Sequence, residues 1–482
     1  MAITLLAGVW RFVGLQTPAF DHDEVYEITE RTTDLRELAF RHDGFPPIYR
    51  WLVAGVMETT GSDMAARWFS LVVGVATIPL VALLGAKLAG SRAGLLAAAF
   101  MAVSANHSLI SQQARGYVLM VFFASGMLLT AWRLRSSDRW IDWAAFLTCS
   151  WLAIATHYFA GLLLLLLGPL LLLEKRGPAL RRGLTAAVLL AIAGIPLMIC
   201  LRADLAETGE FHHEVGFDKE AYAFGYLWLV TGNTLGPSVS ELREMVSLGD
   251  KAGAIRAIAP WAMLCLIPVG VLLTAAAKRL RSSDLAWLVV LMLAPPLMAA
   301  VAATASPTGY NYRYLVWMLV PLTVWLAAGA TVNRNTAVAA VWLIGLSVYA
   351  GYNHRFVERY HENDFHAVVE LIESLDKSAE APAVLAAPLY YGRGALYSMP
   401  SDWTTATVTA HPSGEQDWDA KLPEFAERLG SRDEVWLVAQ WFPLGHPQRA
   451  VCDELAERLN AELVERVAST TMVYRFPVDA TR

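Results

Sequence analysis

Residues 158–173 read YFAGLLLLLLGPLLLL, bounded by His157 on one side and Glu174 on the other, with no charge between them. A helix on the surface of a soluble protein keeps one polar face; this stretch has none and reads as a helix facing lipid or a fully apolar core. Working outward, similar runs occur at roughly 2–15, 64–87, 93–105, 115–132, 140–156, 184–201, 258–277, 285–304, 310–330 and 335–350. Together these make about eleven transmembrane helices, the first and third of them short against the ~20 residues that a bilayer requires. The whole chain agrees: of 482 residues 56% are hydrophobic and only 17% charged, outside the range of ordinary soluble folds. The run at 2–15 lacks a charged leader and a small-residue cleavage site, so a retained helix is expected.

Lys and Arg accumulate in cytoplasmic turns and so orient the helices. Alternate connections carry Lys87 and Arg92; Arg133, Arg135 and Arg139; Lys175, Arg176, Arg181 and Arg182; Lys278, Arg279 and Arg281; and Arg334. With these inside, the outer face receives the loop 16–63, the turn 106–114, the His157 turn, the loop 202–257, the turn 305–309 and everything beyond about 351. The expectation is a transmembrane domain over 1–354 and an extracytoplasmic domain over 355–482.

The tail holds 12 basic and 21 acidic residues, against 26 and 23 in the part before it. It alternates a helix-like stretch (365–375), apolar runs (383–387 and 434–440), an amphipathic stretch (452–464) and a strand-like end (471–476), which reads as a small α/β domain. A net charge of −6 leaves no basic face for a phosphate backbone, so nucleic acid is not an expected partner. No phosphate-cradling glycine motif and no cysteine pair is present, which removes nucleotide and zinc-cluster readings.

Chemistry concentrates on the expected outer rim. Phe20-Asp21-His22-Asp23-Glu24 follows the first helix; three carboxylates and an imidazole at a membrane boundary must be hydrated, paired or functional. In the same loop come Pro46 and Pro47, and the stretches 25–39 and 47–59 suit juxtamembrane helices lying in the interface. Arg115 (Gln113-Ala114-Arg115-Gly116-Tyr117) and Arg313 (Tyr310-Asn311-Tyr312-Arg313-Tyr314) end helices on the side where positive charge is disfavoured, and His157 ends a third. Singly, such residues are snorkelling anchors or packed histidines; on one rim they fit an anionic head group held beside a carboxylate. Glu210-Phe211-His212-His213-Glu214 offers His212, His213 and Glu214 as candidate ligands for a divalent cation, Mg or Mn, although adjacent residues in an extended segment point opposite ways. The blander reading is a hydrated loop.

Asp23-Glu24, Pro46-Pro47, Arg67 at the start of the next helix, the Gln-Ala-Arg-Gly-Tyr turn, Thr156-His157-Tyr158 and Tyr312-Arg313-Tyr314 resemble, in order and spacing, the GT-C-type membrane glycosyltransferases. The resemblance runs over about residues 1–330 and is nearest to the bacterial glycosyltransferase family 39, or protein-mannosyltransferase-like, group, with relatives of the aminoarabinose transferase acting on lipid A. Relatives often carry His before the paired prolines and Glu before the Ala-Arg; this chain has Phe45 and Gln113. The resemblance implies a bacterial inner-membrane enzyme that transfers one sugar, with inversion, from a polyprenyl phosphate to an acceptor hydroxyl of a protein, lipid or glycan. It implies Asp23 as base, Glu24 orienting the acceptor or a cation, and Arg115, Tyr117, His157, Arg313 and Tyr314 on the donor phosphate. Asp21, His22, Pro46, Pro47 and Arg67 would make acceptor or loop contacts. A flippase or transporter, a polysaccharide polymerase or ligase, and an assembly protein working through its tail are the alternatives; midplane charges and repeated halves, which a transporter favours, are not visible.

Overall fold

The structure, a computed structural model, describes every residue except 17–18, 35–45, 208–218, 306–311, 362–363, 379, 409–417, 430–431, 442–446, 468–469 and 479–482. The helices of its first part are α1 (Ala2–Phe12), α2 (His22–Thr29), α3 (Ile48–Thr60), α4 (Ala65–Ala89), α5 (Ser91–Val103), α6 (Ala105–Gln112), α7 (Tyr117–Ser136), α8 (Trp140–Thr156), α9 (Ala160–Glu174) and α10 (Gly177–Glu207). There follow α11 (Lys219–Thr231), α12 (Val239–Ser247), α13 (Lys251–Ala276), α14 (Ser282–Ala305), a 3-10 turn (Tyr312–Met318), α15 (Leu319–Ala330) and α16 (Arg334–Phe356).

Among the described residues seven helices are long and apolar enough to span a membrane, or eight if α5 and α6, bent by 57° at Ser104, make one broken span. The apolar helices α1, α8 and α9 are shorter than that measure, so the expected count of eleven is not reached on length alone. The protein is an integral membrane protein. Burial sorts its spans into central and peripheral: 83% of the apolar window of α7 is covered by neighbours against 11% for α10, whose exposed face of Val188, Ile192, Ile195 and Ile199 only lipid tolerates.

The residues cluster into two compact units. The first comprises 1–13, 31–232 and 261–351; the second comprises 14–30, 233–260 and 352–482. In the first, α4 and α5 approach closely because Gly85 and Gly94 face each other's helices: a Cβ on Gly94 would lie 2.6 Å from the Ala82 carbonyl oxygen. The core of this unit runs from Ile78 and Val81 through Met101, Val118 and Met127 to Trp317 and Val324. The break after α5 is built locally, Ser104 accepting a hydrogen bond at 3.3 Å from the His107 N–H as cap of α6.

The second unit contains α17 (Phe365–Leu375), β1 (Ala383–Ala387), α18 (Leu389–Tyr397), β2 (Thr404–Thr407), α19 (Trp418–Glu427), β3 (Glu434–Gln440), α20 (Pro447–Arg458), β4 (Glu462–Val467) and β5 (Thr471–Pro477). The sheet order is β2-β1-β3-β5-β4, parallel among the first three strands (Val384 opposite Trp436) and antiparallel at β3–β5 and β5–β4 (Leu437 opposite Tyr474). Period-two alternation divides the core: Ala383, Leu385, Val435 and Leu437 pack under α19 and α20, while Val384, Ala386, Trp436 and Val438 pack with α17, Tyr391 and Ala19. Strands covered on both faces read as continuous apolar runs, which is why β1 and β3 are visible in the sequence. The amphipathic stretch expected at 452–464 is a correction: the helix ends at Arg458, Asn460 takes a left-handed φ of 49°, and β4 begins at Glu462. The elements β2, α18 and α19 carry no strong hydrophobic period and were not expected.

Candidate functional site

In the first unit the turn 113–116 joins α6 to α7 and carries Arg115, buried at 6% exposure. Its guanidinium lies 5.6 Å from the centre of the Tyr117 ring, close enough for a cation–π contact. The Tyr117 ring stands 5.4 Å from the imidazole of His157, at the end of α8, and that imidazole stands 5.1 Å from the ring of Tyr314. A Cβ on Gly116 would lie 3.4 Å from the Thr156 carbonyl oxygen and from the Tyr49 Cβ, ordinary contact distance, which places this turn against the end of α8 and against α3. Four of the residues singled out from the sequence, Arg115, Tyr117, His157 and Tyr314, thus gather in one cluster. Arg313, half-buried, precedes Tyr314 in the 3-10 turn.

The electrostatics of the cluster follow from burial and a shared sign of charge. Desolvation, assisted by the nearby Arg115 cation, pushes His157 down to about 3, so the imidazole stays neutral at physiological pH. The Phe159 N–H donates to His157 Nδ1 at 3.3 Å, which assigns the proton of the neutral ring to Nε2. The cluster therefore sets an uncharged imidazole N–H donor near the Arg115 guanidinium.

In the same unit, Pro46 is buried and Pro47 caps the N-terminal end of α3. Proline suits that position because helix starts leave amide donors unsatisfied anyway. Tyr49 in α3 bonds Ser70 Oγ at 2.9 Å, and Arg67, in the first turn of α4, is 3% exposed. Between α8, α9 and α10 lies an apolar groove of about 630 Å³, lined by Trp151, Tyr158, Leu162, Leu165, Leu190 and Leu197. Gly161, Gly168 and Gly194 face it with nothing within 4 Å of a built Cβ. Its Tyr158 end adjoins His157 in the chain.

Asp21, His22, Asp23 and Glu24 belong to the second unit. Asp21 is the N-cap of α2: its Oδ1 accepts from the Glu24 N–H at 2.8 Å, and Glu24 Oε2 accepts from the Asp21 N–H at 3.1 Å. This reciprocal capping box binds both carboxylates to the helix start, and Glu24 is only 2% exposed. Asp23 keeps 22% of its side chain exposed, with His22 Nε2 at 3.7 Å from its Oδ1. A carboxylate so held, next to an imidazole, has the chemistry of a general base. The candidate cation ligands His212, His213 and Glu214 lie outside the described residues; among those described, no three His, Cys, Asp or Glu side chains gather as a metal site.

Arg11 was not among the sequence candidates. Fully buried, it donates to the carbonyls of Ala102 (2.8 Å), Met101 (3.0 Å) and Ala7 (3.2 Å) and meets His107 Nδ1 at 2.9 Å. It thereby satisfies carbonyls released by the break between α5 and α6, while Gln112 Nε2 returns a bond at 2.8 Å to the Arg11 carbonyl. The signal was present: a single cation inside an otherwise apolar run is expensive in lipid and marks a partner.

Residues 45–199 match the family model for dolichyl-phosphate-mannose-protein mannosyltransferase. No curated protein matches the chain by sequence. Among solved structures, ArnT from Cupriavidus metallidurans in the apo state is similar at a TM-score of 0.56 and 15% identity, covering 99% of this chain and 98% of that one. ArnT bound to undecaprenyl phosphate gives 0.51 and 14%, with 98% and 97% covered. The Archaeoglobus fulgidus oligosaccharyltransferase tethered with an acceptor peptide gives 0.50 and 11%, covering 91% of this chain and 68% of that one. The chain thus has the fold of the GT-C-type membrane glycosyltransferases and, across residues 45–199, the sequence pattern of their mannosyltransferase family.

Proposed function

We propose that the protein transfers a single sugar, with inversion, from a polyprenyl-phosphate donor to an acceptor hydroxyl on the outer face of the membrane. The observation that carries this reading is the cluster of Arg115, Tyr117, neutral His157 and Tyr314, one cation and three polar rings, which suits the single negative charge of a lipid-linked phosphodiester. The apolar groove that starts at Tyr158 supplies a surface for an isoprenoid chain next to that cluster. The ArnT structure that holds undecaprenyl phosphate supports the same donor class by likeness of fold.

In this reaction the acceptor oxygen attacks the anomeric carbon while the bond from that carbon to the phosphate oxygen breaks. The acceptor proton passes to Asp23, and the polyprenyl phosphate leaves with its negative charge met by Arg115 and by the His157 N–H. A phosphate ester is already a competent leaving group, so the demand falls on the base, a contribution on the order of 100- to 10,000-fold. Asp23→Asn is expected to lower kcat by that factor with the KM for donor little changed. Arg115→Ala is expected to weaken donor binding by roughly 10- to 100-fold, the range of a lost charge-assisted hydrogen bond. The assay is transfer of labelled sugar from a polyprenyl-phosphate hexose to membranes of a deletion strain, with mass spectrometry of the copurifying lipid. Full turnover in Asp23→Asn would remove the base assignment. A requirement for Mg or Mn is read by chelation followed by adding back each ion.

A further inference from the structure

The helix that carries Asp23 is seated on the α/β sheet domain, and all the contacts that seat it lie within the second unit. Gly394, midway along α18, meets the backbone of His22: a Cβ built on Gly394 would stand 2.8 Å from the His22 Cα and 3.0 Å from its N. On either side, the Phe20 ring makes an edge contact with Tyr397 at 5.9 Å, and Arg393 Nη1 reaches Glu30 Oε1 at 3.5 Å. The His22 ring lies 6.4 Å from Tyr391, and Ala19 is buried in the cluster under the sheet. So α18 grips the segment before, at and after Asp23.

The seat itself is firmly founded. Tyr391 is 1% exposed, packs against Phe365 at 5.4 Å and hydrogen-bonds the Thr471 hydroxyl on β5. Gly392 abuts β1 and β2, where a Cβ would meet Thr407 Cγ2 at 2.9 Å and the Ala386 carbonyl oxygen at 3.1 Å. The capping box makes the first turn of α2 a stiff unit, so displacement at His22 is passed on to Asp23, one residue away.

We infer that the C-terminal sheet domain sets the position of the proposed base, with Gly394 as the positioning residue; this rests on the assignment of Asp23 above. A base must come within about 2.6–3.2 Å of the proton it removes, and a misplacement of about 1 Å costs on the order of 100-fold. At Gly394 the facing atoms are the backbone and Cβ of His22, with no flexible side-chain end to yield, so any side chain must part α2 from α18.

The test compares Gly394→Ala with Leu422→Ala, Phe20→Ala and Asp23→Asn in the full chain, by hydrogen exchange across residues 22–29 and by turnover at saturating polyprenyl-phosphate hexose. Gly394→Ala is expected to speed exchange across α2 and lower kcat at least tenfold, with the KM for donor unchanged and exchange in β1 and β3 at the parent level. Phe20→Ala, which leaves α18 and the sheet intact, is expected to act in the same direction by several-fold. Leu422→Ala, which loosens the opposite face of the sheet under α19, is expected to leave exchange across 22–29 as in the parent. The inference is overturned if Gly394→Ala changes neither readout, or if Leu422→Ala reproduces both of its effects. If Gly394→Ala loosens α2 while Asp23→Asn keeps full turnover, the seat stands and the base assignment alone is lost.

Discussion

His157 shows how one residue combines geometry with charge. Its burial and the adjacent Arg115 hold it neutral, with a folded value of about 3 against about 6.5 when unfolded. Above pH 6.5 neither state binds the proton, so the residue adds no pH dependence there. As the pH falls through 6.5 the unfolded chain takes up a proton that the folded chain refuses, and stability is lost, by roughly 2 kcal/mol at pH 5. The thermal midpoint of the parent is expected to fall from pH 7 to pH 5 by more than that of His157→Asn, which lacks this term; parallel curves would show that His157 is charged in the fold. Residues were legible from sequence to different depths. The Arg115, Tyr117, His157 and Tyr314 set was found because polar groups at the ends of apolar runs stand out. Asp21 and Glu24 were read for a chemical role; Asp-x-x-Glu before a helix is also the spacing of a capping box, which both side chains form.

At the scale of elements, small residues decide how the spans pack. The close approach of α4 and α5 leaves no room at Gly94, where a Cβ meets the Ala82 carbonyl oxygen at 2.6 Å and the Ala86 Cβ at 2.8 Å. Gly94→Val is expected to destabilise the protein by about 1–3 kcal/mol, the usual cost of overpacking, read as a lower midpoint in a detergent-solubilised thermal melt. Gly55, in α3, has nothing within 4 Å, and Gly55→Ala is expected to be neutral or to stabilise by up to about 1 kcal/mol. A melt in which both substitutions behave alike would refute the packing argument. Helix α6 was read as a turn because eight residues with Asn106, His107 and Ser108 carry too little apolar character to announce a helix. It exists because Ser104 caps it and Arg11 satisfies the carbonyls behind the break.

For the whole molecule, the distribution of Lys and Arg predicts which side each turn faces. On a background with Cys149, Cys200, Cys265 and Cys452 replaced, Lys377→Cys in the tail is expected to react with a membrane-impermeant maleimide in intact cells. Arg139→Cys, in the turn before α8, is expected to react only after permeabilisation, and the opposite pattern would invert the topology. Sequence by itself determined that the chain lives in a membrane and that an α/β domain follows the spans. These are properties of local composition: apolar length, charge bias and period survive without knowledge of any distant contact. Tertiary structure alone decided that Tyr117, His157 and Tyr314 share one cluster, that Arg11 is a partner of the broken helix, and that residues 14–30 pack with the sheet domain more than 300 positions away. Such pairings depend on close approach between surfaces remote in sequence, made possible at Gly394 by a missing Cβ that has no periodicity to betray it.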